Sequence, residues 1–453
     1  MTTYAEKLAA RYAGMKYNDL PENSRHGVKR LLMDYLGVAV GGSQTESGGV
    51  ARVFAKSQGG KGASRVIGDS ARVNMTAAAF ANAISSHSLE LDDIDVLALF
   101  HFSPPVYSAA LAAAEEAGAS GRDLVVALAA GCEMMERASR AANPSMRNRG
   151  YHTTPNAGVF GSTVAAGKLL KLNPAKLTSA LGMAGAQSAG LMEMYGPSMQ
   201  KRFNPGPAAR AGVTSALMAK LGFTGTALIF EGERGWLNAY SDKRTPHALD
   251  EGIDGPYQLD IEFKPYSCAR PIHNAIDCAL EIRRQHQPKL EDIKHIAMAR
   301  HPDWAHYHQN KTPQTYHEAQ VSLPYSVAVA LKEGQALLKQ YTDRKLKDPV
   351  LRRISDLVDI SVDASLPRGV SCKMTMTMDD GQRFVSQIDY PKGSIQNSMS
   401  DAELRTKFDT LATPVIGEAH ATQLAELVAG VEQVSDIGKL MRLTAKPKRP
   451  ARK

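Results

Sequence analysis

The stretch VSCKMTMTMDDGQRFVSQIDY, residues 370–390, contains the clearest strand signal in the chain and decides the class of fold. Apolar and polar residues alternate on both sides of Asp380-Gly381, a dipeptide that favours the tight turn of a β-hairpin. A second strand-like pattern, LEDIKHIAMAR at residues 290–300, follows a helical segment. We therefore predict a mixed α/β domain over residues 261–399.

The residues on either side of this domain have a helical pattern. Apolar side chains recur at three- and four-residue spacing in SRHGVKRLLMDYLGVAV (24–40) and GRDLVVALAAGCEMMERASRA (121–141), as expected of helices with one apolar face. Ser400 and Glu403 form a capping-box pattern at the start of a further helix. These patterns predict a mainly α fold with an α+β insertion. Its large all-helical domain comprises residues 1–260 and 400–438, and the smaller α/β domain lies between them.

The positive charge of the chain is concentrated at its C-terminus. Seven Lys or Arg residues and no acidic residue lie in 439–453, which leaves +1 of the formal +8 for all other residues. With two prolines and few apolar residues, this segment is predicted to be a disordered basic tail. The charge is therefore not interpreted as a nucleic-acid surface.

Cysteine usage and hydropathy indicate a cytoplasmic protein. Four scattered cysteines are too few for a disulfide framework and show no paired CxxC zinc pattern. The amphipathic N-terminus lacks the apolar core of a signal peptide, and no segment approaches the ~20 apolar residues that span a bilayer. Secretion and membrane insertion are accordingly not predicted.

Four segments place reactive side chains beside glycine or proline turns. They are HSLELDDIDVLALFHF (87–102), RNRGYHTTPNAG (147–158), MQKRFNPGPAARAG (199–212) and EFKPYSCARPIHNAID (262–277). Helix N-termini and nearby cations favour anions, so the set suits a polycarboxylate ligand. Taken singly, each segment also has a plainer interpretation: the acids as a solvated loop, His152 as a hydrogen-bonded structural residue, and Lys201-Arg202 as a surface pair.

Common motifs of other enzyme classes do not occur. The sequence has no GxxxxGK[ST] P-loop, no strand-led GxGxxG, no GxSxG and no HExxH. The segment HPDWAHYH (301–308) has three histidines but neither a helical i, i+4 pair nor a cysteine partner, so we interpret it as a polar loop and predict no metal site.

The four segments, in this order, resemble the MmgE/PrpD family, which includes 2-methylcitrate dehydratase, cis-aconitate decarboxylase and iminodisuccinate epimerase. The likeness extends over residues 5–430. The matching motifs are H-x-x-D-x-D-D at His87–Asp93, G-[FY]-H at Gly150–His152, K-R-L-H-P-G-x-A-A at Lys201–Ala209, K-P-Y at Lys264–Tyr266, S-[LF]-x-Y at Ser322–Tyr325, and P-K-G-x-x-x-N-P-M-S-D at Pro391–Asp401.

The resemblance implies a cofactor-independent lyase that acts on a di- or tricarboxylic acid. It implies a homodimer, a lid formed by the α/β domain, and proton transfer next to a carboxylate, as in dehydration of 2-methylcitrate or citrate. An epimerase, a decarboxylase or a catalytically inactive binding relative stay open as alternatives. The implied catalytic residues are His101, His152, Asp93, Lys201 and Tyr325, and the implied substrate-binding residues are Glu90, Asp92, Lys264, Arg270 and His273.

Several positions depart from the pattern of the family. Glu90 replaces the first Asp of its motif, Ile94 stands where a Thr often follows, and Asn204 replaces the His of K-R-L-H. Ala269 occupies a position where cis-aconitate decarboxylases have a His. Because of this last departure, dehydration is predicted in preference to decarboxylation.

Overall fold

The computed structural model describes residues 2–60, 62–95, 100–194, 198–256 and 259–445. Contacts divide the chain into two compact units. The first holds the described residues of Met1–Met194, Gln200–Ile261 and Ser400–Lys453, and the second holds those of Tyr195–Met199 and Glu262–Met399. The first unit is predominantly helical and the second is mixed, which confirms the predicted class of fold.

The first unit is built almost entirely from helices. Before the second unit, these are α1 Tyr4–Gly14, α2 Glu22–Gly42, α3 Glu46–Ser57, α4 Met75–Ser86, α5 Ser103–Ala117, α6 Gly121–Ala142, α7 Ser145–Asn148, α8 Thr153–Leu169, α9 Pro174–Gly185, α10 Gln200–Phe203, α11 Pro205–Leu221 and α12 Trp236–Tyr240. A short antiparallel pair of strands, β1 Ser64–Arg65 and β2 Arg72–Val73, precedes α4.

The second unit combines a four-stranded sheet with helices. Its helices are α13 His273–His286, α14 Pro302–Ala305, α15 Tyr316–Ala319, α16 Leu323–Glu333, α17 Asp343–Leu346 and α18 Pro349–Asp356, and its strands are β3 Ile293–Arg300, β4 Val358–Val362, β5 Cys372–Met378 and β6 Arg383–Ile388. The chain then returns to the first unit in α19 Asp401–Ile416, α20 Glu418–Ala429 and α21 Gly438–Arg442.

Side-chain caps define where several helices begin. Ser400 accepts a hydrogen bond from the Glu403 backbone while the Glu403 carboxylate accepts one from the Ser400 backbone, which confirms the predicted capping box of α19. Asn173 caps α9, whose first residue is Pro174, because proline has no N–H to leave unsatisfied there.

Small residues let the central helices of the first unit approach closely. A Cβ atom at Gly161 of α8 would lie 2.6 Å from the carbonyl oxygen of Gly131 of α6, a distance that no side chain tolerates. The helices α4, α5 and α8 are buried over nearly their whole length. This packing fixes the N-terminal ends of α5, which begins two residues after His101, and of α8, which begins directly after His152.

The predicted hairpin is confirmed in the second unit. Strands β5 and β6 pair antiparallel from Cys372 with Ile388 to Thr377 with Arg383, and Gly381 adopts φ +85° in the turn. The sheet order is β4-β3-β5-β6, with β3 and β4 parallel. One face of β5, formed by alternate residues from Cys372 to Met378, is buried in a core shared with α13 and α16.

The predicted start of the disordered tail at residue 439 is wrong. Residues Gly438–Arg442 form α21, because Leu440 and Met441 are fully buried and pack into the first unit. Residues 446–453 of the predicted tail lie outside the described residues. In the described part of the chain, no helix is both long enough and apolar enough to cross a membrane.

Candidate active site

The acidic segment after α4 is buried, so its interpretation as a solvated loop is wrong. Asn74 caps α4, and the helix ends at His87, from which the chain turns back into the first unit. Glu90, Asp92 and Asp93 are each no more than 1% exposed. Glu90 has φ 56°, a left-handed conformation that is unusual for a residue with a long side chain and that reverses the chain between His87 and Asp92.

The carboxylate of Asp92 lies between two imidazoles. Its Oδ2 is 2.7 Å from Nδ1 of His87 and 2.9 Å from Nδ1 of His101. Nδ1 of His101 is also 2.5 Å from the backbone oxygen of Asp93. Because both neighbours of this nitrogen are acceptors, His101 has its proton on Nδ1 and, when neutral, a lone pair on Nε2. Such an imidazole is oriented to act as a base.

The carboxylate of Asp93, unlike that of Asp92, binds backbone N–H groups. It accepts hydrogen bonds from the backbone N–H groups of Phe102, at 2.7 Å, and Ser103, at 3.1 Å, at the start of α5. Burial raises its pKa, as does the nearby charge of Asp92. These contacts give Asp93 a positioning role for the residues that follow His101, and none of its carboxylate contacts among the described residues is to an imidazole.

Two cations from the segment before α11 are buried against Glu90. Nζ of Lys201 forms a short ion pair with Oε1 of Glu90, and Nη1 of Arg202 lies 3.5 Å from the same oxygen. Lys201 is 5% exposed and Arg202 is 3% exposed, so the surface-pair interpretation of these residues is wrong. One carboxylate thus faces two cationic groups, an arrangement that favours an additional anion.

His152 lies next to this cluster. It precedes α8, and its backbone N–H donates to the oxygen of Gly190 at 3.0 Å. The backbone N–H of His101 donates to the hydroxyl of Thr154, two residues after His152, which ties the two histidine segments together. The ring centroid of His87 is 4.9 Å from that of His101 and 6.5 Å from that of His152.

Burial keeps two of these imidazoles neutral. It lowers the pKa of His87 to about 4, although the carboxylate of Asp92 opposes this shift. It also lowers the pKa of His152 well below its ordinary value, and the positive potential from His87, His101, Lys201 and Arg147 adds to this effect. At neutral pH, therefore, both side chains are uncharged hydrogen-bonding groups.

Stability is expected to fall in mild acid because of these two histidines. A group whose pKa is lowered in the folded state stabilises the protein above its unfolded pKa, and this contribution is lost as the pH falls from about 6.5 toward 4. For His87 the loss is about 3 kcal/mol. Urea unfolding at pH 7.5, 6, 5 and 4 measures this loss.

The His87→Asn variant is the control for this pH dependence, because an amide N–H can still donate to Asp92 but does not titrate. Its free energy of unfolding should depend less steeply on pH than that of the wild type. Equal slopes would contradict the assignment of the acid sensitivity to His87.

His87, Asp92 and His101 also form a group with potential metal ligands within 4.8 Å of one another. A metal ion bound through the two Nδ1 atoms would need the lone pair of each. Both Nδ1 atoms instead lie at N–H···O distances from oxygen acceptors, and that of His101 faces a carbonyl as well as the carboxylate. Metal binding through the two Nδ1 atoms therefore does not fit this geometry.

The remaining predicted site residues belong to the second unit. Nε and Nη2 of Arg270 bind Oε2 of Glu262 at 2.9 and 2.8 Å, and Nη1 lies 3.2 Å from Nδ1 of His273. Nε2 of His273 is 3.3 Å from the backbone oxygen of Cys268. Lys264 is 1% exposed. Arg270, Glu262 and His273 form a buried polar cluster, and the role of Arg270, His273 and Lys264 in substrate binding stays a prediction.

Tyr325 lies in the core of the second unit. It is 3% exposed, and its hydroxyl donates to the backbone oxygen of Gln340 at 2.8 Å. Burial raises its pKa. This hydrogen bond gives Tyr325 a structural role within its own unit, and its predicted catalytic role stays a prediction.

Three residues of the site were not among those predicted. His87 belongs to the quoted motif, but only the structure shows its bond to Asp92. Arg202 lies in the predicted segment 199–212, but the family resemblance implies no role for it. Lys407 of α19, whose Nζ donates to the oxygen of Leu91 and lies 2.6 Å from Asp34 of α2, supports the acidic segment from a distant part of the sequence.

A large helical unit, an inserted α/β unit and a buried cluster of imidazoles, carboxylates and cations define the class of protein. The chain belongs to the MmgE/PrpD family: residues 6–249 match the MmgE/PrpD N-terminal domain and residues 266–433 match the MmgE/PrpD C-terminal domain.

Individual relatives are similar along nearly the whole chain. A cis-aconitate decarboxylase of Aspergillus terreus is 27% identical over 457 residues, which cover 94% of this chain and 92% of that protein. The cis-aconitate decarboxylase of Homo sapiens is 26% identical, with 99% of this chain and 96% of that protein covered. The mouse enzyme of the same name is also 26% identical.

Proposed function

We propose that this protein is a lyase that acts on a di- or tricarboxylic acid by proton transfer next to a carboxylate, with dehydration of a citrate-type hydroxy acid as its reaction. The observation that supports this most directly is the buried pairing of Asp92 with His87 and His101 beside the Lys201–Glu90 ion pair. The named relatives, which are decarboxylases of a tricarboxylic acid, support the lyase class and the type of substrate.

The proposed base is His101. In dehydration, its Nε2 takes a proton from the carbon next to a carboxylate, and the electron pair of that C–H bond moves toward the carboxylate. The pair then forms the carbon–carbon double bond as the C–O bond on the neighbouring carbon breaks. The departing hydroxide takes the proton from the His101 imidazolium and leaves as water, which restores the neutral imidazole.

After the proton is removed and before the C–O bond breaks, the carboxylate next to that carbon carries a second negative charge. Cationic groups stabilise this dianionic intermediate. Lys201 and Arg202 are already buried and already oriented by Glu90, so little reorganisation accompanies the arrival of a substrate carboxylate. Lys264 and Arg270 are proposed to bind further carboxylates. The homodimer and the cytoplasmic location stay predictions.

Decarboxylation is the second candidate because the named relatives are cis-aconitate decarboxylases. In that reaction the C–CO2⁻ bond breaks, its electron pair stays on carbon, and one proton is delivered to the product. No proton is removed from carbon, so the reaction requires an acid but no base. The orientation of His101, with its lone pair on Nε2, and the presence of Ala269 favour dehydration.

Proton NMR in heavy water distinguishes these reactions. The enzyme is incubated separately with citrate, 2-methylcitrate, cis-aconitate and iminodisuccinate. Dehydratase activity is expected to interconvert a hydroxy acid and its unsaturated product and to place solvent deuterium at the carbon next to the carboxylate. Decarboxylation of cis-aconitate would instead give a five-carbon product with one deuterium, and epimerisation would exchange the proton without changing the skeleton.

The same spectra, combined with thermal unfolding in the presence of each acid, test the alternative of a binding protein without catalysis. If no acid in the panel exchanges or reacts, while one of them raises the midpoint of thermal unfolding, the lyase assignment is wrong and a binding role replaces it. The His101→Gln variant serves as the matched control, since it keeps a polar side chain of similar size but cannot accept a proton.

A further inference from the structure

Asn204 links His152 to the segment that contains Lys201. It is 5% exposed and occupies the position where the family motif has a histidine. Its Nδ2 lies 3.0 Å from Nδ1 of His152 and 3.2 Å from Sδ of Met194, and its Oδ1 lies 3.4 Å from Nε2 of Gln200. The first of these contacts is to Nδ1 of His152, and the presence or absence of a proton on this nitrogen distinguishes the tautomers of the ring.

The orientation of the Asn204 amide follows from its neighbours. A thioether sulfur is only an acceptor, so the amide atom that faces Met194 is the NH2 group and not the oxygen. The same NH2 group faces His152, and the amide oxygen faces a donor of Gln200. Nδ1 of His152 is therefore an acceptor and has no proton.

We infer that Asn204 is a positioning residue that holds His152 as a neutral imidazole with its proton on Nε2. An imidazolium, or the tautomer with the proton on Nδ1, would place an N–H group against the amide N–H group of Asn204 at 3.0 Å. This inference rests on the proposed function for its chemical consequence, but the state of the ring can be measured without a substrate.

The consequence is a division of roles between the two imidazoles. His101 has its proton on Nδ1 and presents a lone pair from Nε2, whereas His152 presents an N–H group from Nε2. Donation of that proton would leave an imidazolate, so His152 acts as a hydrogen-bond donor to the oxygen that becomes negative, while His101 alone transfers the proton. In this arrangement His152, which the family resemblance implies to be catalytic, does not itself transfer a proton.

The charged and titratable groups around His152 favour the same neutral form. They are His87 and His101 on the acidic segment, Lys201 before α11, and Arg147 of α7, and a positive charge on any of them opposes a further positive charge on the ring. The proton on Nε2 should therefore be retained, and Nδ1 should stay unprotonated, at pH 7.5 and at pH 6.

Long-range 1H–15N spectra of the full chain labelled with 15N-histidine test the inference directly. They distinguish protonated from unprotonated ring nitrogens, and the His152 signals are identified by their loss in the His152→Gln variant. We expect Nε2 to be protonated and Nδ1 unprotonated at pH 7.5 and at pH 6. A proton on Nδ1 of the wild-type His152 at either pH would overturn the inference.

Variants of Asn204 test whether this residue determines the tautomer of His152. In Asn204→Asp, the new carboxylate should accept from Nδ1 and move the proton there, and kcat in the lyase assay should fall about tenfold or more with a smaller change in KM. Asn204→Leu removes the donor without adding charge and should populate both tautomers. Asn204→His keeps an N–H donor at this position, so this variant should retain the Nε2–H form of His152 and most of the wild-type kcat.

Asn18→Asp, the same chemical change at an exposed position of the first unit, should leave the His152 signals and kcat unchanged. If His152 keeps its proton on Nε2 alone in both Asn204→Asp and Asn204→Leu, Asn204 does not determine the tautomer and the inference fails. If the wild type has no lyase activity but its tautomer is as expected, the proposed function fails and the inference about Asn204 stands.

Discussion

The His152→Ala variant is expected to lose on the order of 10²-fold or more in turnover while remaining folded. The neutral ring is buried beside His87 and the Lys201–Glu90 pair, where water competes weakly for its N–H group. Removal of a preorganised donor from such an environment mainly raises the energy of the state in which negative charge develops. Steady-state kinetics with the acid identified by NMR should therefore show a loss in kcat that exceeds any change in KM.

His247→Ala is the control for this experiment, because His247 is an exposed histidine of the same unit. It should retain the kcat of the wild type. Circular dichroism and the thermal midpoint of the His152→Ala variant establish whether the fold survives. Near-wild-type turnover in a folded His152→Ala protein would remove His152 from the active site.

The parts of the structure that the sequence predicts correctly are determined by neighbouring residues. The β5–β6 hairpin needs only an alternating pattern and Gly381 in its turn, and the start of α19 needs only Ser400 and Glu403. The family motifs likewise draw attention to the segment of Glu90 and that of Lys201, whose side chains the structure brings together. Local chemistry of this kind is visible in a single sequence.

Contacts between distant residues could not be predicted in this way. Lys201 and Arg202 have the composition of a surface pair, and their burial depends on Glu90, which lies 111 residues before Lys201. The direction of the Asp92 carboxylate depends on the left-handed backbone at Glu90, for which no glycine or asparagine gives a signal. Similarly, the burial of Leu440 and Met441 depends on partners outside the basic segment.

Lys407→Met is expected to lower the free energy of unfolding by about 3–5 kcal/mol, because it leaves the buried carboxylate of Asp34 without its cation. Asp34 of α2 is 2% exposed, and Nζ of Lys407 in α19 lies 2.6 Å from its Oδ1. The same ammonium group donates to the backbone oxygen of Leu91, between Glu90 and Asp92. The variant should therefore lose turnover as well as stability, as measured by urea unfolding and the lyase assay.

The pH dependence of this variant identifies Asp34 as the cause. Burial raises the pKa of Asp34 to about 6 even with Lys407 present, so the folded state holds this proton more tightly than the unfolded state. The contribution of Asp34 to stability accordingly decreases as the pH rises from about 4 to 6. Without the cation, the folded pKa rises further, and the loss of stability caused by Lys407→Met should be larger at pH 8 than at pH 5.

The double variant Asp34→Asn/Lys407→Met separates this charge effect from lost packing. The amide of asparagine has nearly the shape of the carboxylate but no charge, so the double variant should recover a large part of the stability that Lys407→Met loses. It should also lack the additional loss that Lys407→Met shows at pH 8 relative to pH 5. A double variant as unstable as the single one would show that Lys407 acts through its contact with Leu91 or its packing in α19. In that case the acidic segment, rather than Asp34, is what the ammonium group stabilises.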